Sequence, residues 1–320
     1  MNNPLLITYE YPPEHGGVGK YLEAEVQHFE EKEKNEVVII HAQEYEMPLW
    51  PQWLPLLWKT LGQLRKNKRN SIWLSHILPI GYIAVVYKKI LKIPYRVYLH
   101  GLDLVGPRKS FWKSFWVRRI LLNADEIIVN SNATAKLLEY YNIPSSLAHV
   151  HYPKIQEVDV KKYKITGDEL RKKYKLEGKP VLLTVSRLVK RKGIDLVIQA
   201  LPEVYKKIPN LFYVVVGEGD YSDHLKKLAD NQKNIIFTGA VSEEEKYSWL
   251  STSDCFILTP LDDPDDFEGY GIVYKEAQMF GKPIIGSKTG GVPEAVGENG
   301  TLVEPSNMEQ ITQEIIKKIK

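Results

Sequence analysis

The sequence predicts an α/β protein of two doubly wound parallel-sheet domains. Three observations carry this. Apolar, β-rich runs alternate with helical patterns along the whole chain. The rhythm pauses once, in a polar stretch between Pro153 and Asp168, and then restarts. The 320 residues are long for one hydrophobic core and comfortable for two.

In the first half the candidate strands are PLLITY, EVVIIH, SIWLS, YRVYLH, EIIVN and LAHVHY. Helical patterns lie between them, among them VGKYLEAEVQHFEE and NATAKLLEYY. Continuous apolar strands separated by helices imply parallel sheets covered on both faces. The polar stretch PKIQEVDVKKYKITGD reads as a linker. Beyond it the candidate strands are PVLLTVS, LFYVVVG, NIIFTG, CFILTP, PIIGS and TLVEP. The expected domains are therefore residues 1–155 and 156–320, each doubly wound.

Composition narrows the class. Hydrophobic residues make up 43% and charged residues 26%, as in ordinary soluble domains. The lone Cys255 excludes an internal disulfide, and its apolar run CFILTP marks a buried structural thiol. The start MNNPLLITYEYPP lacks a basic leader, and no run reaches the roughly 18 apolar residues of a spanning helix. A cytoplasmic protein is expected, with any membrane contact peripheral and at the inner face of the plasma membrane. Residues 1–155 hold 19 Lys/Arg against 14 Asp/Glu, a net of +5, while the rest of the chain nets −2. The first half is the one expected to meet an anionic partner. Nothing beyond a basic patch speaks for nucleic acid, and none is expected.

Ligands of doubly wound sheets bind beyond the carboxyl ends of the strands. After the first strand come Gly16, Gly17 and Gly19 ahead of a helix. Such glycines let a phosphate approach the helix N-terminus, or simply make a tight turn. The dinucleotide fingerprint is absent, which disfavours a nicotinamide dehydrogenase. After YRVYL come His100, Gly101 and Asp103. A histidine there reaches a sugar hydroxyl or caps the strand. After VLLTV come Arg187 and Lys192, two cations suited to a diphosphate. The segment FEGYGIVYKEA, Phe267 to Ala277, carries Glu268 in a loop and Glu276 about two turns into the next helix. Carboxylates accept two hydroxyl hydrogen bonds, which suits sugar diols.

Together, VSRLVKRKGIDLVIQALPEV, VVVGEGDY, IIFTGAV and FEGYGIVYKEAQMFGKPIIGSKTGGVPEAV resemble the family-4 retaining glycosyltransferases of the GT-B fold. Within them the segments are most similar to phosphatidylinositol mannoside mannosyltransferases and related enzymes of glycolipid and polysaccharide assembly. The resemblance implies two Rossmann-like domains facing across a cleft, an acceptor-side domain followed by a donor domain. It implies transfer of a mannose- or glucose-type hexose from a GDP- or UDP-linked donor to a lipid-linked or glycan acceptor, without cofactor or metal. Gly16 and Gly17 match the loop near the donor phosphates and reacting sugar. His100 matches the histidine on that sugar, and Arg187 with Lys192 the diphosphate pair. Gly239 to Val241 match a loop near the nucleobase. Glu268 matches the first glutamate of the family motif, placed against sugar hydroxyls, and is followed by Gly269 and Tyr270. Gly271, Ile272 and Val273 match the backbone turn at the phosphates, and Glu276 the ribose carboxylate. His100, Arg187, Lys192 and Glu268 are the implied catalytic set. A same-fold epimerase or phosphorylase, or a non-catalytic nucleotide-sugar or membrane-binding module, are the rival classes.

Three segments depart from the family pattern. HYPKIQEV replaces an Asn-Gly turn, ITQEIIKKIK stands where relatives continue with helices crossing back to the first domain, and LDDPDDFEG is longer than usual. The acidic run reads as a solvated loop, because Pro264 interrupts it and cations are already supplied. His149 and His151 share a strand face but lack a third ligand for zinc. Two first-half stretches mix aromatics with cations: Trp50, Trp53, Trp58, Arg65, Lys66, Lys68 and Arg69, then Phe111, Trp112, Phe115, Trp116, Arg118 and Arg119. They suit a helix lying in a membrane interface, or a core-facing helix with a wet edge.

Overall fold

A computed structural model of the chain describes residues 3–12, 16–45, 47, 51–66 and 69–319. Trp50 and Lys68 of the first aromatic-basic stretch lie outside the described residues. Contacts divide the chain into two compact units. The first comprises Met1–Lys154 with Asp265–Tyr270, and the second Ile155–Pro264 with Gly271–Lys320.

The first unit runs β1 (Pro4–Thr8), α1 (Gly17–Glu33), β2 (Val38–His41), α2 (Leu54–Lys66), β3 (Ser71–Ser75), α3 (Ile77–Leu91) and β4 (Tyr95–Leu99). It continues with α4 (Leu102–Val105), α5 (Phe111–Leu122), β5 (Glu126–Val129), α6 (Asn132–Lys136) and β6 (Ala148–Val150). The sheet order is β2-β1-β3-β4-β5-β6, all parallel. Alternate residues of one strand serve opposite faces. Leu5, Ile7, Ile72, Leu74, Val97 and Leu99 face the cluster holding α3 and α5. Leu6, Trp73, Tyr98 and Ile128 face Tyr21, Leu22 and Val26 of α1. Both faces are covered, so the strands read as unbroken apolar runs.

The second unit runs α7 (Val160–Lys173), β7 (Val181–Val185), α8 (Ile194–Tyr205), β8 (Phe212–Val216), α9 (Ser222–Ala229), β9 (Ile235–Gly239), α10 (Glu243–Thr252) and β10 (Cys255–Ile257). After β10 come α11 (Ile272–Met279), β11 (Ile284–Ser287), α12 (Val292–Val296), β12 (Thr301–Val303) and α13 (Met308–Lys318). Its order is β12-β11-β10-β7-β8-β9, again parallel. That is the winding of a dinucleotide-binding sheet, with the direction of travel reversing between β7 and β10. Burial pushes the Cys255 thiol up to about 12, as a structural thiol requires.

All twelve predicted strands form, in the expected order. Three local expectations do not hold. The supposed linker is helical from Val160, because Asp159 caps the helix by accepting from the Lys161 and Lys162 amides at 3.0 and 3.4 Å. Its apolar stripe is only Tyr163 and Leu170 beside Gly167, whose missing side chain admits the Ser248 carbonyl. NATAKLLEYY is α-helical only to Lys136 and continues as a 3-10 helix to Tyr141. Glu276 is the fifth residue of α11, little more than one turn in, because the helix starts only at Ile272.

Trp73 measures this packing. It is 1% exposed, with its ring 4.9 Å from Phe29 and 5.7 Å from Tyr98. Its indole N–H has no hydrogen-bond partner among the described residues. Trp73→Ala is expected to destabilise the first unit by about 3–5 kcal/mol, and Trp73→Phe by much less. Urea unfolding checks this; equal midpoints for both variants and the parent would refute the packing account.

Candidate active site

In the second unit the loops at the carboxyl ends of β9, β8, β7 and β10 are bonded in the same order as their strands. The Gly217 amide donates to Gly239 O at 2.9 Å, Ser186 to Val216 O at 3.0 Å and Leu188 to Glu218 O at 2.9 Å. On the other side Leu261 N donates to Arg191 O at 2.7 Å. Glycine permits these approaches. A Cβ on Gly217 would lie 1.9 Å from Ser186 O, and one on Gly193 would lie 2.0 Å from Thr259 O. Gly193 also holds φ +66°, which a side chain disfavours.

This frame carries the predicted donor-side residues. Arg187 is exposed just after β7, and Lys192 is buried at the end of a one-turn 3-10 helix. Gly239, with φ +75°, closes β9 and leads through Val241 into α10. Gly271, with φ +87°, caps α11, so the turn through Ile272 and Val273 presents helix N-terminal amides. Tyr274 anchors α11 by donating to Leu258 O at 2.7 Å. The basic turn and this helix start therefore both rest on residues 258–261.

Glu276 is 4% exposed and ion-paired: Lys246 Nζ of α10 lies 2.6 Å from its Oε1 and 3.0 Å from Glu243 Oε2. Sequence reasoning did not find Lys246, since a lysine in SEEEKYS reads as part of a solvated face.

The first unit carries the rest. Gly16 precedes α1; a Cβ there would lie 2.6 Å from Glu10 Oε2. Gly17 is the first residue of α1. His100 follows β4, and its amide donates to both carboxylate oxygens of Asp103 at 3.0 and 3.2 Å. Its Nε2 is 2.8 Å from Ser75 Oγ, and the Tyr21 ring stands edge-on at 5.5 Å. Burial, then the neighbouring His76, lower the imidazole to about 3.

The loop that bears Glu268 docks on this turn. Phe267 covers Gly101, where a Cβ would come within 2.3 Å of the ring. The Gly269 backbone lies against the His100 carbonyl, so that a Cβ would be 2.1 Å away. Ser131 Oγ donates to Gly269 O at 2.7 Å, and the Tyr270 ring meets Tyr152 at 5.7 Å. Glu268 is thereby held beside the His100–Gly101 turn, half-buried.

His76 was missed. It follows β3, sits at φ +69°, and places Nε2 3.7 Å from Glu10 and its ring 6.0 Å from His100. The signal existed: SIWLSH ends on histidine as YRVYLH does. The acidic run is tied into the protein: Asp265 pairs with Lys109 at 3.0 Å, and Asp266 accepts from the Phe267 amide at 2.8 Å. Among the described residues no three His, Cys, Asp or Glu side chains are grouped to hold a metal. His151 pairs with Glu25 at 2.8 Å.

The aromatic-basic stretches divide. Trp53 and Trp116 pack on Tyr82, and Arg118 Nε donates to Tyr141 O at 3.0 Å. Phe111, Trp112, Phe115 and Trp58 are exposed, at 89%, 62%, 50% and 66%. No described helix is long and apolar enough to cross a membrane.

The His100 environment makes a pH prediction. Its folded-state pKa is depressed, so the folded protein resists a proton that the unfolded chain binds. The stability it contributes is complete above the unfolded value of about 6.5 and is lost as pH falls from there towards 3. Ring NMR signals should show His100 neutral down to about pH 5, and His100→Gln should flatten the acid limb of the stability curve. A midpoint between 6 and 7, near the unperturbed value, would contradict this.

Family models match both halves: Glycosyltransferase Family 4 over residues 15–156 and Glycosyl transferases group 1 over residues 167–320. A GDP-mannose-dependent alpha-(1-6)-phosphatidylinositol monomannoside mannosyltransferase of Mycolicibacterium smegmatis is 27% identical, across 96% of this chain and 87% of its own length. The monoacylated-substrate counterpart of Corynebacterium glutamicum is 28% identical, across 98% and 87%. Among solved structures, Anabaena HepE in complex with UDP and glucose superimposes with a TM-score of 0.75 at 19% identity, covering 99% of this chain and 89% of its own. The sucrose-phosphate synthase of Thermosynechococcus elongatus gives 0.76 at 18% identity, covering 98% and 89%. With both halves matched in order and the two sheets wound as in these structures, the chain belongs to the group 1/family 4 glycosyltransferases of the GT-B fold.

Proposed function

We propose that this enzyme transfers a mannose- or glucose-type hexose from a GDP- or UDP-linked donor to a lipid-linked or glycan acceptor, with retention at the anomeric carbon. The observation that carries the donor reading is the shared anchorage of the Arg187–Lys192 turn and the α11 start on residues 258–261. When the glycosidic bond breaks, the nucleoside diphosphate leaves with the bonding pair and gains negative charge. Two preorganised cations and the amides of Gly271 to Val273 suit that charge without a metal. Val241 and Gly239 belong near the base, Glu276 at the ribose, and His100, Glu268 and the Gly16–Gly17 loop at the sugar. A neutral His100 accepts or donates one hydrogen bond to a hydroxyl without adding charge. The names of the relatives, which specify GDP-mannose and phosphatidylinositol monomannoside, support a glycolipid acceptor.

The same reading places the enzyme at the inner face of the plasma membrane. The exposed Phe111, Trp112 and Phe115 of α5, with Lys113 and Arg119 beside them, suit peripheral contact with an anionic leaflet.

Arg187→Ala and Glu268→Ala are each expected to lower transfer by about tenfold or more, in an assay with GDP- and UDP-linked hexoses. Near-parental rates in both would remove these residues from the site. The parent should co-sediment with vesicles containing phosphatidylglycerol at low salt, and a Phe111→Ser, Trp112→Ser, Phe115→Ser variant should lose most of that binding. Failure of the parent to bind would sink the membrane reading and leave the donor reading intact.

A further inference from the structure

Lys246 is the feature of the second unit that the donor reading leaves unused. It lies on the inner side of α10 and is 8% exposed, although the helix opens with three glutamates. An ammonium is rarely taken out of water without a partner that requires it. Its partners are Glu243, one turn earlier, and Glu276 of α11 at 2.6 Å, while its ammonium lies 4.4 Å from the centroid of the Tyr247 ring. Because α10 begins just after Gly239–Val241, the lysine joins the helix that follows the base loop to the carboxylate assigned to the ribose.

We infer that Lys246 is a positioning residue for donor recognition: it holds the Glu276 carboxylate in one orientation, and so sets the enzyme's selectivity for a ribose diol over a deoxyribose. This rests on the donor reading given above. A carboxylate accepts best from sugar hydroxyls when it is charged and fixed. At a burial this deep, a Glu276 without its cation would turn towards other donors. That change weakens the hydrogen bonds to the hydroxyls and spares the diphosphate contacts, which lie on other residues.

The test is calorimetric binding of GDP, UDP and their 2′-deoxy forms to the full chain. The parent should bind at least one ribonucleotide about tenfold or more tighter than its deoxy form. Lys246→Met should weaken the ribonucleotide to near the level of the deoxy form and leave the deoxy form within about twofold, as should Glu276→Gln. A merely structural lysine would weaken both forms alike and leave their ratio unchanged. If Lys246→Met does not fold, Lys246→Gln, whose amide still donates to Glu276, takes its place and should give an intermediate ratio. A parental ratio in the folded variant, or a parent that binds without distinguishing the two forms, overturns the inference alone. A parent that binds none of the nucleotides overturns the donor reading and this inference with it.

Discussion

Backbone hydrogen bonds between the loops after β9, β8, β7 and β10 are what the carboxyl edge of the second unit depends on. They run from Gly239 through Gly217 and Leu188 to Leu261, so that four loops behave as one edge. The bonds exist because glycine stands where side chains would collide: Gly217 against Ser186, Gly219 against Leu188 and Gly193 against Thr259. Arg187, Lys192, the Gly239–Val241 loop and the start of α11 inherit their relative positions from that edge. A site that stabilises developing charge needs this preorganisation, because reorganising dipoles during reaction forfeits the gain.

The first unit solves a different problem. Its His100 turn and the loop carrying Glu268 are far apart in sequence and meet through two side-chain deletions, Gly101 under Phe267 and Gly269 against His100 O. Ser131, the cap of α6, ties the loop down through Gly269. The chain segment most diagnostic of the family is thus divided between the units after Tyr270. Glu268 belongs with the histidine, while Gly271 and Glu276 belong with the cations.

Charge is handled in both units by burial with a specific neighbour. His100 is kept neutral by desolvation and by His76, and hydrogen-bonds Ser75. Glu276 is kept company by Lys246 in a setting where an isolated carboxylate would be costly. Both arrangements suit hydrogen bonding to hydroxyl groups, which is the chemistry a sugar nucleotide presents.

The sequence by itself determined both sheets, since strands covered on two faces must be continuously apolar and PVLLTVS or SIWLS cannot disguise that. It also determined the family and the residues at strand ends, because strand–turn–helix order makes the carboxyl edge visible in one dimension. It misread residues 160–168, where a helix with few apolar positions looks like a polar linker. It passed over His76 and Lys246, whose significance lies in partners distant along the chain: Glu10 and His100 for one, Glu276 for the other. Only the tertiary structure decided that Glu276 pairs with Lys246, that Arg118 bonds the Tyr141 carbonyl, and that Phe111, Trp112 and Phe115 stay exposed. Periodicity reports which face of an element is apolar; what that face and its charges meet is set by packing between elements.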